Sequence, residues 1–238
     1  MRTTNLGITF NGLHSFDDLG LWITGKIVEH APAQRVYKTV PYMDSSYDFT
    51  KLYGRPSRPD KKITIVFRIS EDTKMVMENK IRRVMAWLNT SERLPMYDDA
   101  IWNCHYLAEV TNVSEPDEQA GRVSITVEFT TYPYLIGNYQ EGKLLWDDIC
   151  FETDYFVETK FNVNVSARFE VYNQSAHEII PTVICSATMG IQKDGVNYVF
   201  TAGENYNENF VLNPGVNEIV ALGASNATVE FAFNKEVL

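Results

Sequence analysis

The sequence has little cysteine and no long apolar run. Its three cysteines, Cys104, Cys150 and Cys185, lie far apart and make an odd number, so we expect no disulfide framework and predict folding in a reducing cytoplasm. No stretch approaches the roughly 20 apolar residues that a membrane helix needs. The segment MRTTNLGITFNG has no apolar stretch of the kind that export signals carry. We therefore expect neither export nor membrane insertion.

The chain also has no surplus of positive charge. It carries 21 Lys and Arg against 31 Asp and Glu, a net charge of −10 over 238 residues. Binding to nucleic acid without regard to sequence requires an excess of basic side chains. This chain has no such excess, which argues against that kind of binding. An acidic surface would still let DNA pass without sticking.

Recognisable catalytic and metal-binding patterns are missing. The four histidines show no metal-ligand spacing, and the neighbours Cys104 and His105 point to opposite faces of a predicted strand. The paired carboxylates of Asp17-Asp18, Asp98-Asp99 and Asp147-Asp148 lie in predicted turns. Asp is common in turns because its side chain hydrogen-bonds the nearby backbone. We predict no enzyme, no catalytic residue, no metal and no cofactor.

Two segments near the middle of the chain alternate between apolar and polar residues. In RVSITVEFT the apolar side chains are Val123, Ile125, Val127 and Phe129, and KKITIVFRIS shows the same period of two from Ile63 to Ile69. This period predicts strands with one buried face. We predict a mainly β fold whose N-terminal domain is β-sandwich-like.

One helix is predicted between these strands. Ser70 is a candidate N-cap, with acidic residues in the first turn. Met77, Ile81, Val84 and Leu88 are spaced 4, 3 and 4 apart, which places them on one face. The helix should end near Asn89.

The second half of the chain shows strands and turns without a helical pattern. Asp194-Gly195 predicts a type I′ hairpin, and Pro214-Gly215 suits a type II turn. Short alternating segments between such turns are typical of a small antiparallel β-sandwich. We place the domains at residues 1–140 and 141–238.

The aromatic residues suggest two candidate sites. The long segment 42–60 contains Tyr42, Tyr47, Phe49 and Tyr53 among polar, Pro and Gly residues. It is either a disordered or self-packed loop, or an arm that lies on a neighbouring copy. In the second domain, a sugar site would depend on Tyr172, Tyr198 and Tyr206, while Trp22, Trp87 and Trp102 suit a core or an interface.

In their order along the chain, several segments resemble the N-terminal domain of the distal tail (Dit) proteins of long-tailed siphophages. These segments are FNGLHSFDDLGLWITG, YDFTKLYGRPSRPDKKITIVFRI, MAWLNTSERLPMYDDAIWNCHYLAEV and GRVSITVEFTTYPYLIG, the last ending near Pro133-Tyr134. The resemblance covers residues 1–137. The second half is similar only in outline to the family's galectin-like or carbohydrate-module-like sandwich.

The resemblance implies a structural protein of the virion tail, assembled in the cytoplasm of a bacterial host. Such proteins form homo-hexameric rings through their N-terminal domains, and their C-terminal sandwiches project outward. The implied partners are the tail tube protein, a tail-tip or tail-associated protein, and a receptor-binding protein or host saccharide, with DNA passing through the ring without specific binding. The alternative function is a carbohydrate-binding module that recognises host-surface saccharide through the C-terminal sandwich.

Overall fold

The computed structural model describes residues 6–52, 54–119, 121–144, 149, 155–223 and 225–238. The chain divides into two compact units: Met1–Ile101 with His105–Pro133, and Trp102–Cys104 with Tyr134–Leu238. Residues 134–140, which the sequence analysis placed in the first domain, belong to the second unit. The assignment of a ring-forming domain and an appendage to the two parts stays a prediction.

The first unit is built from antiparallel strands and one helix. The elements are β1 (Ile8–Phe10), β2 (Leu13–His14), β3 (Trp22–Val28), β4 (Tyr37–Lys38), β5 (Tyr47–Asp48), β6 (Lys61–Ser70), α1 (Lys74–Leu88), β7 (Leu94–Asp98), β8 (Cys104–Val113), β9 (Asp117–Gln119) and β10 (Arg122–Thr131). Seven strands form one path in the order β2-β1-β7-β8-β10-β6-β3, with β9 paired to β10 and β4 paired to β5.

The two alternating segments become the central strands β6 and β10. They pair over their whole length, from Lys61↔Thr131 to Ser70↔Arg122. The apolar residues of both strands are buried, as the period of two predicts. The predicted strands, and with them the mainly β fold, are confirmed.

The sheet of the first unit curls strongly. Strand β3 ends the path and is separated from β7 by three strands, yet the ammonium of Lys26 in β3 pairs with the buried carboxylate of Asp98 in β7. Burial lowers the pKa of Lys26. The curled sheet encloses a core and is covered by the helix.

Helix α1 begins later than the sequence predicts. Ser70 is still paired with Arg122 in the β6–β10 ladder, and it lies four residues before Lys74, the first helical residue, so it is too far from the helix to cap it. The N-cap is Thr73, whose side chain accepts a hydrogen bond from the backbone N–H of Val76 at 3.4 Å. The predicted N-cap at Ser70 is therefore wrong, and the helix ends at Asn89 as predicted.

Trp87 anchors the helix to the sheet. Its ring meets those of Phe10 and Phe67 edge-on, with centroids 6.2 and 6.0 Å apart. Its indole N–H donates to the carbonyl of Phe10 at 2.7 Å. Met77, Val84 and Leu88 are buried beside it, which confirms most of the predicted apolar face.

The second unit contains a sandwich of two four-stranded sheets. Its strands are β11 (Leu135–Gln140), β12 (Lys160–Val163), β13 (Ser166–Asn173), β14 (Thr182–Cys185), β15 (Met189–Lys193), β16 (Val196–Phe200), β17 (Gly203–Asn205), β18 (Gly215–Leu222), β19 (Ala227–Ala232) and β20 (Asn234–Val237). One sheet has the order β12-β19-β14-β17 and the other β13-β18-β15-β16, while β11 pairs with β20.

The core of the second unit lies between these two sheets. Both sheets bury one side of their strands in it, and Phe200, Phe210 and Phe231 lie at its centre. The Asp194-Gly195 turn joins β15 to β16 with φ angles of 52° and 79°, as a type I′ hairpin requires. The predicted sandwich and its hairpin are confirmed.

Candidate assembly surface

The aromatic segment of the first unit forms a hairpin rather than a structureless loop. Strands β4 and β5 pair in the register Tyr37↔Asp48 and Lys38↔Tyr47. We call residues 34–57, without the undescribed Tyr53, the arm. The sequence missed this hairpin because two-residue strands are too short to show a period.

Hydrogen bonds fix the two legs of the arm to each other. The backbone N–H of Phe49 donates to the carbonyl of Val36 at 2.8 Å, and that of Gln34 donates to the carbonyl of Ser57 at 2.8 Å. Hydrogen bonds from Thr50 lower the pKa of Asp48. At the base of the arm, the guanidinium of Arg58 donates to the carbonyl of Ala31 at 2.6 Å.

The arm exposes an unusual amount of apolar surface. Eight of its large apolar side chains are each at least 38% exposed. They are Val36, Tyr37, Val40, Tyr42, Met43, Tyr47, Phe49 and Leu52. So many exposed apolar side chains within one short segment are typical of a region that contacts another molecule.

The structure places three of the four predicted arm residues on this surface. Tyr42 is fully exposed at the tip, with a φ of 69° in the left-handed region. The rings of Tyr47 and Phe49 lie 6.1 Å apart and are both exposed. Tyr53 lies outside the described residues.

The predicted sugar contacts of the second unit are not brought together. Tyr172 lies on the outer face of β13, opposite Val216. Tyr198 lies opposite the buried Ile191, packs against the core and donates its hydroxyl to the carbonyl of Asn209 at 2.9 Å. Tyr206 is exposed after β17, on the other sheet of the sandwich.

A tyrosine that the sequence analysis did not select lies beside Tyr172. The rings of Tyr155 and Tyr172 are 5.8 Å apart at 66°. The side-chain amide of Gln174 accepts from the backbone N–H of Tyr155 at 3.2 Å and donates to its carbonyl at 2.8 Å. This contact joins residues 17 positions apart, so no local sequence pattern could reveal it.

The carboxylates and cysteines considered as catalytic or metal-binding candidates have structural roles. Among the described residues, no group of three His, Cys, Asp or Glu side chains could hold a metal ion. Asp17 and Asp18 lie in a turn, where their carboxylates contact the side chain and backbone of His14. Burial raises the pKa of the Cys185 thiol to about 11, which keeps it protonated. Asp147, Asp148, Cys150 and Trp146 lie outside the described residues.

The remaining tryptophans divide between the core and the surface. Trp87 is buried, whereas Trp22 is 49% exposed and Trp102 is 62% exposed. The ring of Trp22 meets the ring of Phe16 edge-on. In the part of the chain that the structure describes, no helix is long and apolar enough to cross a membrane.

Among solved structures, the fold is similar to that of the Dit protein of phage SPP1, described as a paradigm of the hub adsorption apparatus in phages that infect Gram-positive bacteria. The two share 14% identity over 98% of this chain and 99% of that chain, with a TM-score of 0.68. This chain has the Dit fold. No family model matches the sequence, and no curated protein matches it either.

A second solved structure, the phage p2 baseplate in its activated conformation with Sr, contains a chain at 10% identity. It covers 96% of this chain and 97% of that chain with a TM-score of 0.40. The SPP1 structure confirms the Dit fold that the ordered sequence segments predicted.

Proposed function

We propose that this chain is a distal tail hub: a structural, non-catalytic protein that forms a hexameric ring between a phage tail tube and the tail tip. The observation that carries the proposal is the Dit fold, which spans 98% of the chain and 99% of the SPP1 protein. A likeness over nearly the whole length of both chains includes both units.

The arm supports this proposal because it needs a covering partner. A closed ring repeats one heterologous contact, in which a surface of one copy meets a different surface of the next. The exposed aromatic side chains of the arm supply contact area at a low entropic cost. The hydrogen bonds between its legs hold it ready to bind.

Strand β3 offers a second surface for the same ring. It is the last strand of the path β2-β1-β7-β8-β10-β6-β3, so one of its edges has no neighbour in that path. Trp22, Ile27 and Val28 on this strand are exposed. An edge of this kind can accept a strand or an arm from the next copy.

The charge distribution bears on the passage of DNA. Residues 134–238 carry 5 Lys and Arg against 14 Asp and Glu, a net charge of −9, which leaves 16 against 17 and a net −1 for residues 1–133. The part proposed to form the ring is therefore nearly neutral rather than acidic. Its lack of a basic surplus still suits a channel through which DNA passes without being bound.

The remaining partners follow from the place of a hub in the virion tail. We propose contacts with the tail tube protein, with a tail-tip or tail-associated protein, and with a receptor-binding protein. Assembly would take place in the cytoplasm of the bacterial host, where the reduced state of the buried Cys104 and Cys185 is stable.

The arm is tested by changing its tip. The variant Tyr42→Gly removes the exposed ring and keeps the left-handed backbone, which glycine adopts without strain. Combined with Tyr47→Ser, it should shift the chain from hexamer toward monomer in sedimentation velocity, by at least about tenfold in the assembly constant.

The matched control is Tyr206→Ala, which removes an equally sized exposed ring from the second unit. It should sediment like the unmodified chain. A hexamer that survives the double arm variant at micromolar concentration would show that the arm does not hold the ring together.

A further inference from the structure

The sheet β13-β18-β15-β16 has an outer face that combines aromatic and polar side chains. Across β13 and β18, Tyr172 lies opposite Val216, Glu170 opposite Glu218, and Arg168 opposite Val220. These residues alternate with Val171, Ile219 and other inward side chains that form the core.

An aromatic platform lies at one end of this face. The ring of Tyr155 meets the ring of Tyr172, and both are exposed. Gln174 fixes the backbone of Tyr155 through both of its hydrogen-bonding groups. The Gln174 amide also donates to the carboxylate of the buried Glu141 at 2.9 Å, so the platform is held in place before any ligand arrives.

A shallow polar groove of about 400 Å³ adjoins this platform. Val216 lines the groove and lies directly opposite Tyr172, which makes the two features continuous. The other groove residues are mainly planar and polar. They include Arg168, Gln192, Asp194, Asn213 and Glu218.

This combination suits a saccharide better than an apolar ligand. A sugar ring has an apolar C–H face that packs on an aromatic ring, and hydroxyl groups at its edge. Amide, carboxylate and guanidinium groups pair with neighbouring hydroxyls because each offers two hydrogen-bonding positions in one plane. Among the described residues that line the groove, only Val216 and Val220 have large apolar side chains.

The charge of the site selects among saccharides. Arg168 already pairs with Glu218, and Asp194 adds another carboxylate to the groove. With a net charge of −9 over residues 134–238, the unit repels phosphorylated, sulfated or other anionic glycans. We propose that the platform and groove bind an uncharged saccharide chain.

This proposal goes beyond the hub and does not depend on it, because every residue involved belongs to one unit of a single chain. It also changes the sugar site predicted from the sequence. Tyr172 remains, Tyr155 joins it, and Tyr198 and Tyr206 lie elsewhere.

The test is a glycan array probed with the labelled full-length chain, printed with neutral hexose and N-acetylhexosamine chains and with sulfated and phosphorylated ones. The unmodified chain should bind neutral glycans. Tyr172→Ala and Gln192→Ala should each lower the signal at least about tenfold by removing a ring contact or a groove amide, and Tyr206→Ala should leave it unchanged.

Circular dichroism of each variant shows whether the sandwich still folds, and sedimentation of the same samples reports assembly separately. The proposal is overturned if no neutral glycan binds, if only anionic glycans bind, or if folded Tyr172→Ala and Gln192→Ala variants bind as the unmodified chain does. A fall in assembled mass in both variants without glycan binding would instead assign this face to a protein contact.

Discussion

At the scale of single residues, Gly142 shows how a distant contact can restrict one position. It has a φ of 77°, and a Cβ added there would lie 2.3 Å from Oγ1 and 3.2 Å from Cβ of Thr159. Thr159 is itself buried and donates its hydroxyl to the carbonyl of Glu141 at 3.3 Å. The threonine therefore has little freedom to move away.

We predict that Gly142→Ala destabilises the second unit by about 2–4 kcal/mol, from left-handed backbone strain together with overpacking. Gly195→Ala is the matched control, because Gly195 has a φ of 79° and nothing within 4 Å of an added Cβ. It should cost only the backbone strain, about 1–2 kcal/mol. Thermal unfolding followed by circular dichroism measures both, and equal shifts in Tm would contradict the steric account.

Tight turns were predictable from the sequence, whereas the contact between Gly142 and Thr159 was not. Asp194-Gly195 reveals a hairpin because both residues of the pair adopt a positive φ, which these residue types favour. The constraint on Gly142 comes from Thr159, 17 residues away. Tyr155 and Tyr172 meet over the same separation, and for the same reason the platform could not be read from neighbouring residues.

At the scale of secondary-structure elements, helix α1 depends on one residue for its position on the sheet. Trp87 is buried, contacts two phenylalanine rings and donates its indole N–H to the carbonyl of Phe10. The amide of Asn11 in turn donates to the carbonyl of Trp87 at 3.0 Å. The helix and the β1–β2 hairpin are thus linked in both directions.

We predict that Trp87→Phe lowers the free energy of unfolding of the first unit by about 2–4 kcal/mol, because it leaves the Phe10 carbonyl without this donor and opens a cavity. Trp22→Phe, at a half-exposed ring, should cost less than about 1 kcal/mol. Urea denaturation followed by circular dichroism gives both values. Similar losses in the two variants would show that Trp87 does not anchor the helix.

The elements with a strong period were predicted from the sequence, and two errors elsewhere have identifiable reasons. Strands β6 and β10 alternate over ten residues each and were found from the sequence. The helix start was misplaced because the pairing of Ser70 with Arg122 extends β6. Strand β11 was missed because it pairs with β20, about a hundred residues later in the chain.

At the scale of the whole molecule, the sequence predicted the Dit fold from the order of its segments. Segment 42–60 was predicted as a candidate contact because its aromatics lie where no period is present, and the structure leaves Tyr42, Tyr47 and Phe49 exposed. The net charge of −10 was less informative, since nearly all of it belongs to residues 134–238. A total charge does not show on which surface the charge lies.

If this chain is a tail hub, six copies of it close into a ring. Native mass spectrometry or light scattering of the unmodified chain at micromolar concentration measures the mass of the particle that forms in solution. We expect a particle of about 163 kDa, six times the 27.2 kDa of one chain. A single species of 27.2 kDa that persists as the concentration rises would contradict it.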